Sequence, residues 1–600
     1  MFSEKDYLKH QMNIDHRPDG TLLLSSGLEL DAVPPTTGEW LHEWAEKTPR
    51  AVFLAQRSGP GWEELRFGEA LEKTRAVAAG LLAHGITHGD RIIMLSGASI
   101  SHGIIKLAAQ YIGAVTVPMA EQYSLIEDAL PRLLHIADTV KAKMVFAEDA
   151  EKFARALDLP QFDACLKLAG TGGAGIIGLD ELLSADTGNV SAAHAMVKPD
   201  DMAKILFTSG STSTPKGVPQ THRMMCVNQV QYSVCWPFLR DHPPVMLDWL
   251  PWNHVFSGNS NFNKALANGG ALYIDTGKPV KGLFDRTLEN LRMISPTLSS
   301  NVPVAFGMLV AAMREDKALR HSFFRNLDLI FYAGASLPAD IWNGLEELAI
   351  AERGTVPMMT SSWGMTETAP MAIMHYQGGA SSGMIGVPGP ELEAKLLPVE
   401  PNRYELRVRG PNVMAGYYHE PEKNAEAFDE EGFMRTGDAV RFADTDDLDQ
   451  GLRFDGRLTE DFKLLTAVWV QSGRLRLAAL AALEGLVHDV VVTGENRADL
   501  GLLIFPHATL ALDNAGDGTI RDADYCAQIQ ERLAAFAADA TGSSNRIVRA
   551  MVMAEPPSIK FAEVTAKGSL NNSAIIRHRA SIIDRLYDDE DPSVIKAVTL

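Results

Sequence analysis

Short apolar runs separated by stretches of helical period constrain this chain more than any other feature. From Phe67 to His84 the residues Leu71, Ala76, Ala78, Ala79, Leu81 and Leu82 recur at near-helical spacing, and Gly85 closes the stretch. Gly89-Asp90 then makes a turn, and Arg91-Ile92-Ile93-Met94-Leu95 reads as a buried strand. A second helical stretch through Ile104, Leu107, Ala108 and Tyr111 leads to Gly113 and the strand Ala114-Val115-Thr116-Val117-Pro118. Two strands joined by a helix must lie parallel, so the fold class is α/β. The texture recurs at Ala203–Phe207, Ala271–Ile274 and Leu327–Phe331.

Six hundred residues exceed one core, so more than one domain is expected. Alternating strand-like residues between Glu391 and Gly410, such as Tyr404–Val408, suggest a small β subdomain. After the turn-rich Asp455–Asp461, a last block offers strands at Val490–Val492 and Gly501–Phe505 and a helix over Asp522–Ala538. The expectation is a large multi-subdomain α/β N-terminal domain (1–455) and a small hinged α+β C-terminal domain (456–600).

A net charge of −21 with no long basic run argues against a nucleic-acid partner or an anionic membrane surface. No uncharged apolar stretch reaches the roughly 18 residues of a spanning helix, and Met1–Asp6 lacks the basic-then-apolar order of a secretory signal. Cys165, Cys226, Cys235 and Cys526 are scattered, as idle thiols in a reducing compartment would be. A cytoplasmic location without an integral membrane segment is expected. The sequence carries no signal of oligomeric state.

After the strand ending at Phe207 comes Thr208-Ser209-Gly210-Ser211-Thr212-Ser213-Thr214-Pro215-Lys216-Gly217. Small residues let backbone N–H groups approach phosphate oxygens, hydroxyls add donors, and Lys216 supplies charge. Each charge-assisted hydrogen bond contributes about 1.5–3 kcal/mol. This is not a Walker loop, in which the lysine follows a glycine and opens a helix.

The segment resembles the phosphate-binding loop of the adenylate-forming superfamily, which includes acyl- and aryl-CoA synthetases, luciferases and peptide-synthetase adenylation domains. Further blocks follow in that superfamily's order. Tyr332-Ala333-Gly334-Ala335-Ser336-Leu337-Pro338 resembles the adenine-binding strand end, and Trp363-Gly364-Met365-Thr366-Glu367 resembles the aromatic-Gly-x-Thr-Glu block. Arg435-Thr436-Gly437-Asp438 resembles the ribose motif, and Gly456-Arg457 the pair before the hinge. The resemblance implies that ATP is bound by Thr208, Ser209, Gly210, Ser211, Thr212, Lys216, Gly334, Ala335, Ser336, Trp363, Asp438 and Arg457. It further implies that Thr366 contacts the α-phosphate, that Glu367 holds Mg²⁺, and that CoA is the co-substrate.

Asp248-Trp249-Leu250-Pro251-Trp252-Asn253-His254-Val255-Phe256 resembles the wording of bacterial feruloyl-CoA synthetases at the acid site. There Trp252 and Phe256 would line the pocket of a small carboxylic acid, His254 would make a polar contact, and Gly364 would leave room for a ring or chain. The implied activity is ATP-dependent acid–CoA ligation through an acyl-adenylate, with a hydroxycinnamate such as ferulate first among acids. A medium- or long-chain fatty acid, loading of a carrier protein, and a degenerate non-catalytic relative are the alternatives.

The C-terminal block departs from the superfamily norm. Thr459 stands at the usual hinge position, followed by Glu460, and Ala467 stands where related sequences keep a glycine. In Thr565-Ala566-Lys567-Gly568-Ser569, Ser569 occupies the slot of the usual catalytic lysine. Lys567, just before the glycine, is therefore the expected catalytic lysine, with Lys560 as an outside candidate.

Overall fold

The computed structural model describes residues 7–208, 215–280, 282–334, 337–507, 510, 512–558, 561, 563–564 and 570–597. The chain divides into two compact units. The first comprises 1–397, 407–435 and 442–453, and the second 398–406, 436–441 and 454–600.

In the first unit, Arg91–Leu95 pairs in parallel with Val115–Pro118 on one side and Met144–Ala147 on the other. The sheet continues in parallel through Leu166–Ala169 and Ile177–Gly178. Its strands are apolar on both faces because helices cover both. One of these, Ile100–Tyr111, is buried along almost its whole length and starts where Ser99 Oγ accepts the His102 N–H. The helix Phe67–Ala83 buries Phe67, Ala70, Thr74, Val77, Ala78 and Leu81, the three-and-four spacing of a packed face.

Met202–Thr208 joins this sheet beside Val115–Pro118 and turns back into Lys216–Thr221, an antiparallel partner. The sequence pattern does not reveal that second strand, because Lys216-Gly217-Val218-Pro219-Gln220-Thr221 has neither alternation nor an apolar run. Thr208 and Lys216, which flank the hydroxyl-rich segment in sequence, face each other across the ladder.

A second parallel set, Leu298–Asn301, Leu329–Tyr332 and Met358–Gly364, is extended in antiparallel fashion by Met371–Met374 and Met384–Pro388. A third sheet aligns Val245–Asp248, Ala271–Ile274 and Val52–Ser58. One large apolar cluster, from Trp40 to Val387, lies beneath these layers. The helix His222–Cys235, capped by Thr221 Oγ1, runs through it and is buried nearly all round. Burial pushes the thiols of Cys226 and Cys235 up, and both are free.

In the second unit, Leu500–Pro506 pairs antiparallel with Val487–Thr493 and parallel with Ile547–Val552. Apolar clusters cover both faces of that sheet, one built on the helix Ala523–Ala538. Glu563, fully buried, is held by Arg579 at 2.7 Å and His578 at 3.0 Å, and Val564 bridges Leu570. Lys560, Lys567 and Ser569 lie outside the described residues. Among the described residues, no helix is long and apolar enough to cross a membrane.

Ala467 sits in the turn between Phe462–Lys463 and Trp469–Val470, its N–H donating to Leu464 O at 2.9 Å. Its φ is +62°, the left-handed region in which a Cβ costs about 1–2 kcal/mol. Glycine avoids that cost but loses more entropy on folding, by about 0.5–1 kcal/mol. Ala467→Gly is therefore expected to stabilise the second unit by up to about 1 kcal/mol. Denaturant unfolding with a lower midpoint for the glycine variant would contradict this.

Candidate functional site

Four sequence-predicted residues of the first unit come together. Thr208 ends one strand and Lys216 begins the next, opposite it. Thr366 and Glu367 form a buried 3-10 turn directly after the strand Met358–Gly364, which carries the buried Trp363. Gln220, on the Lys216 strand, donates from Nε2 to Thr366 O at 2.9 Å. Met414 N–H donates to Glu367 O at 2.8 Å, and Tyr418 N–H to Gly217 O at 2.8 Å. The segment Met414–Tyr418 is thus tied to both.

Between Lys216 and Glu367 stands Tyr417. Its hydroxyl donates to Glu367 Oε1 at 2.9 Å, and the Lys216 ammonium lies 5.1 Å from its ring centroid. Burial, with the Glu367 charge, pushes the Tyr417 hydroxyl upward, so it stays a donor. Sequence reasoning misses Tyr417 and Gln220: one is an aromatic after glycine in a polar loop, the other a lone glutamine, and neither has a spacing that marks it. Ser209, Gly210, Ser211, Thr212 and Ser213, with Ala335 and Ser336, lie outside the described residues. Gly334, which precedes the latter pair, has φ +90°.

Glu367 is a fitting single carboxylate for Mg²⁺, held in place by Tyr417. Among the described residues no group of three His, Cys, Asp or Glu could hold a metal ion. An ion at Glu367 would therefore take its other ligands from nucleotide phosphates and water, as Mg²⁺ commonly does.

The residues predicted for the acid have distinct surroundings. Trp252 is buried edge-on to Phe262 (5.0 Å) and to His102 (5.1 Å). His254 Nδ1 accepts the Phe256 N–H at 3.1 Å. Phe256 packs on Phe331, centroids 5.6 Å apart, and Phe331 lies in the strand that leads to Gly334. A Cβ at Gly364 would come 1.8 Å from Pro370 O, so the close approach of the returning strand itself requires glycine there.

Phe256–Asn261 is a π-helix, a form frequent at functional sites. Asp248 holds it, accepting from Ser257 Oγ at 2.5 Å and Asn261 Nδ2 at 3.1 Å. Burial raises the Asp248 carboxyl to about 6 even so. Two buried lysines, Lys106 and Lys204, both donate to Gly258 O at 2.9 Å, and Lys204 also to Asn259 Oδ1 at 2.8 Å. Burial pushes both ammonium groups down. Asn259 Nδ2 in turn donates to Gln220 Oε1 at 2.8 Å, so hydrogen bonds run unbroken from this helix to the Thr366 turn.

In the second unit, Asp438 is buried and its Oδ1 lies 3.4 Å from Nε of Arg457, which is largely exposed. Asp438 N–H donates to Thr436 Oγ1 at 3.1 Å, and Thr436 Oγ1 donates to Leu406 O. The sequence-predicted pair is therefore adjacent. Leu458–Glu460 is a 3-10 turn, and Asn572 Nδ2 donates to Glu460 Oε2 at 3.0 Å.

Residues 41–418 match the AMP-binding enzyme family and residues 477–591 the AMP-binding enzyme C-terminal domain. The chain belongs to the AMP-binding enzyme family. It is 26% identical over 427 residues to the peroxisomal long chain acyl-CoA synthetase 6 of Arabidopsis thaliana, covering 62% of this chain and 59% of that protein's length. It is 27% identical over 444 residues to 4-coumarate–CoA ligase 2 of Oryza sativa subsp. japonica, covering 68% of this chain and 73% of that one. In fold it is similar to the anthranilate CoA ligase AuaEII in complex with anthranoyl-AMP, with a TM-score of 0.74 and 18% identity over 93% of this chain and 99% of that one.

Tyr417→Phe removes a hydrogen bond to a charged group, worth about 1.5–3 kcal/mol. Mg²⁺-ATP binding, measured by calorimetry, is expected to weaken roughly tenfold or more. Unchanged affinity would mean that Glu367 needs no such support.

Proposed function

We propose that the chain is an AMP-forming acid–CoA ligase that activates a small carboxylic acid, a hydroxycinnamate such as ferulate first among them. The observation that carries this reading is the Lys216–Tyr417–Glu367 assembly, with Thr366 tied to the Lys216 strand through Gln220. A lysine at the end of the loop and a supported carboxylate beyond it suit the two ends of a nucleotide triphosphate chain.

In this mechanism a carboxylate oxygen of the acid attacks the α-phosphorus of ATP, and pyrophosphate leaves. The product is an acyl-adenylate. The CoA sulfur then attacks the acyl carbon and AMP leaves. Thr208, Ser209, Gly210, Ser211, Thr212 and Lys216 would hold the phosphates, Trp363, Gly334, Ala335 and Ser336 the adenine, and Asp438 and Arg457 the ribose. Mg²⁺ at Glu367 would neutralise charge developing on the leaving pyrophosphate. Lys567 would bridge carboxylate and α-phosphate, so that catalysis is positioning and charge stabilisation. Trp252, His254 and Phe256 would meet the acid. A cytoplasmic location fits a reaction among soluble metabolites.

The test is AMP release with CoA across hydroxycinnamates, benzoates and fatty acids. Turnover with hydroxycinnamates is expected. A preference for fatty acids would retain the ligase and replace the substrate, and no AMP release with any acid would overturn the reading. Lys567→Ala is expected to abolish pyrophosphate exchange while sparing thioester formation from supplied acyl-adenylate; normal exchange would remove Lys567 from that role.

A further inference from the structure

Three lysines lie fully buried around the π-helix, and one differs from the others. Lys106 and Lys204 are anchored on the carbonyl of Gly258. Lys264, with no side-chain exposure, has one long contact with Ser260 Oγ at 3.4 Å. No ion pair involves it among the described residues. Asp248, the carboxylate whose charge it senses, is committed to Ser257, Asn261 and the Leu250 N–H.

Aromatic rings enclose this ammonium. Its nitrogen lies 4.4 Å from the centroid of Tyr232, 5.5 Å from Phe331 and 5.6 Å from Trp236. Ring faces attract a cation but leave its N–H bonds without acceptors. Two further donors stand in the same cage. Among the described residues Trp236 Nε1 is buried with no hydrogen-bond partner, and Ser260 Oγ, besides meeting the Lys264 ammonium, donates to Tyr232 Oη at 3.2 Å. A buried cation is tolerated when it meets an anion, and among the described residues none is paired with this one. Burial accordingly pulls Lys264 down to about 7.

The cage adjoins the acid segment. Phe331 neighbours both Phe256 and Lys264. Phe256, Ser260 and Lys264 follow one another at four-residue steps through the π-helix into the helix Phe262–Ala267. Resting on the reading of the Phe256 region as the acid site, we propose that Lys264 is a specificity-determining residue. It takes an acidic oxygen at the end of an aromatic acid opposite the carboxylate that is activated. Rings around the ammonium suit an aromatic body, and the unmatched charge suits a phenolate or a second carboxylate.

The experiment compares 4-hydroxycinnamate, 4-carboxycinnamate and cinnamate on the full chain and on Lys264→Met. In the wild type, kcat/KM is expected to favour an acid with a distal oxygen over cinnamate by roughly 10⁴-fold, because a site built for a hydrogen-bonding group rejects the analogue lacking it. In Lys264→Met that ratio should fall to near one, mainly through KM. The 4-carboxycinnamate arm tells whether the oxygen is a carboxylate or a phenol. A wild type indifferent to the distal oxygen, or a variant that keeps the ratio, overturns the proposal. Turnover confined to acids without such an oxygen overturns it while leaving ligase activity intact. Where no acid turns over, the ligase reading fails and absorbance decides this one. Bound 4-hydroxycinnamate should shift to the red toward its phenolate on the wild type and not on Lys264→Met; no shift on the wild type sinks it.

Discussion

The side-chain amide of Gln220 is the contact on which the site depends. Fully buried, it donates to the Thr366 carbonyl and accepts from Asn259. An amide with both ends committed away from water fixes the segments it joins, because breaking either bond strands a desolvated partner. Three elements distant in sequence are set this way: the strand that begins with Lys216, the turn that carries Glu367, and the π-helix that follows the acid segment. Lys204 and Lys106 extend the same chain of bonds to the Gly258 carbonyl.

The α/β character of the first unit was legible because its parallel strands are buried on both faces and read as unbroken apolar runs. Arg91–Leu95, Ala271–Ile274 and Leu329–Tyr332 stand where those runs fall. Lys216–Thr221 was not legible, since it packs through glycine, proline and a bonded glutamine and gains its place from the ladder to Met202–Thr208. The π-helix was equally hidden: Phe256-Ser257-Gly258-Asn259-Ser260-Asn261 is polar yet buried. What buries it is compensation by Asp248, Lys106 and Lys204, which no local pattern encodes.

The site divides along the same line. Residues with a characteristic order, such as Trp363 to Glu367 and Arg435 to Asp438, were found from their wording. Residues that act by holding others, Tyr417 and Gln220, have no wording. Gly364 illustrates the difference: sequence reasoning gives it room for substrate, and the structure gives it the backbone of Pro370 and Met371 at close approach. Sequence order marks candidate ligand-binding groups better than it marks the frame behind them.

The π-helix also bears on how the region around Phe256 diverges. A widened turn holds one residue more than an α-turn, and every side chain beyond it is displaced by about 100° around the axis. Loss of a single codon between Phe256 and Asn261 would restore the narrower winding and keep Lys264 on its present face, whereas rewinding the same residues as an α-turn would swing it off. A change of winding over this one turn, with no exchange of side-chain chemistry, is therefore enough to present a different surface beyond it.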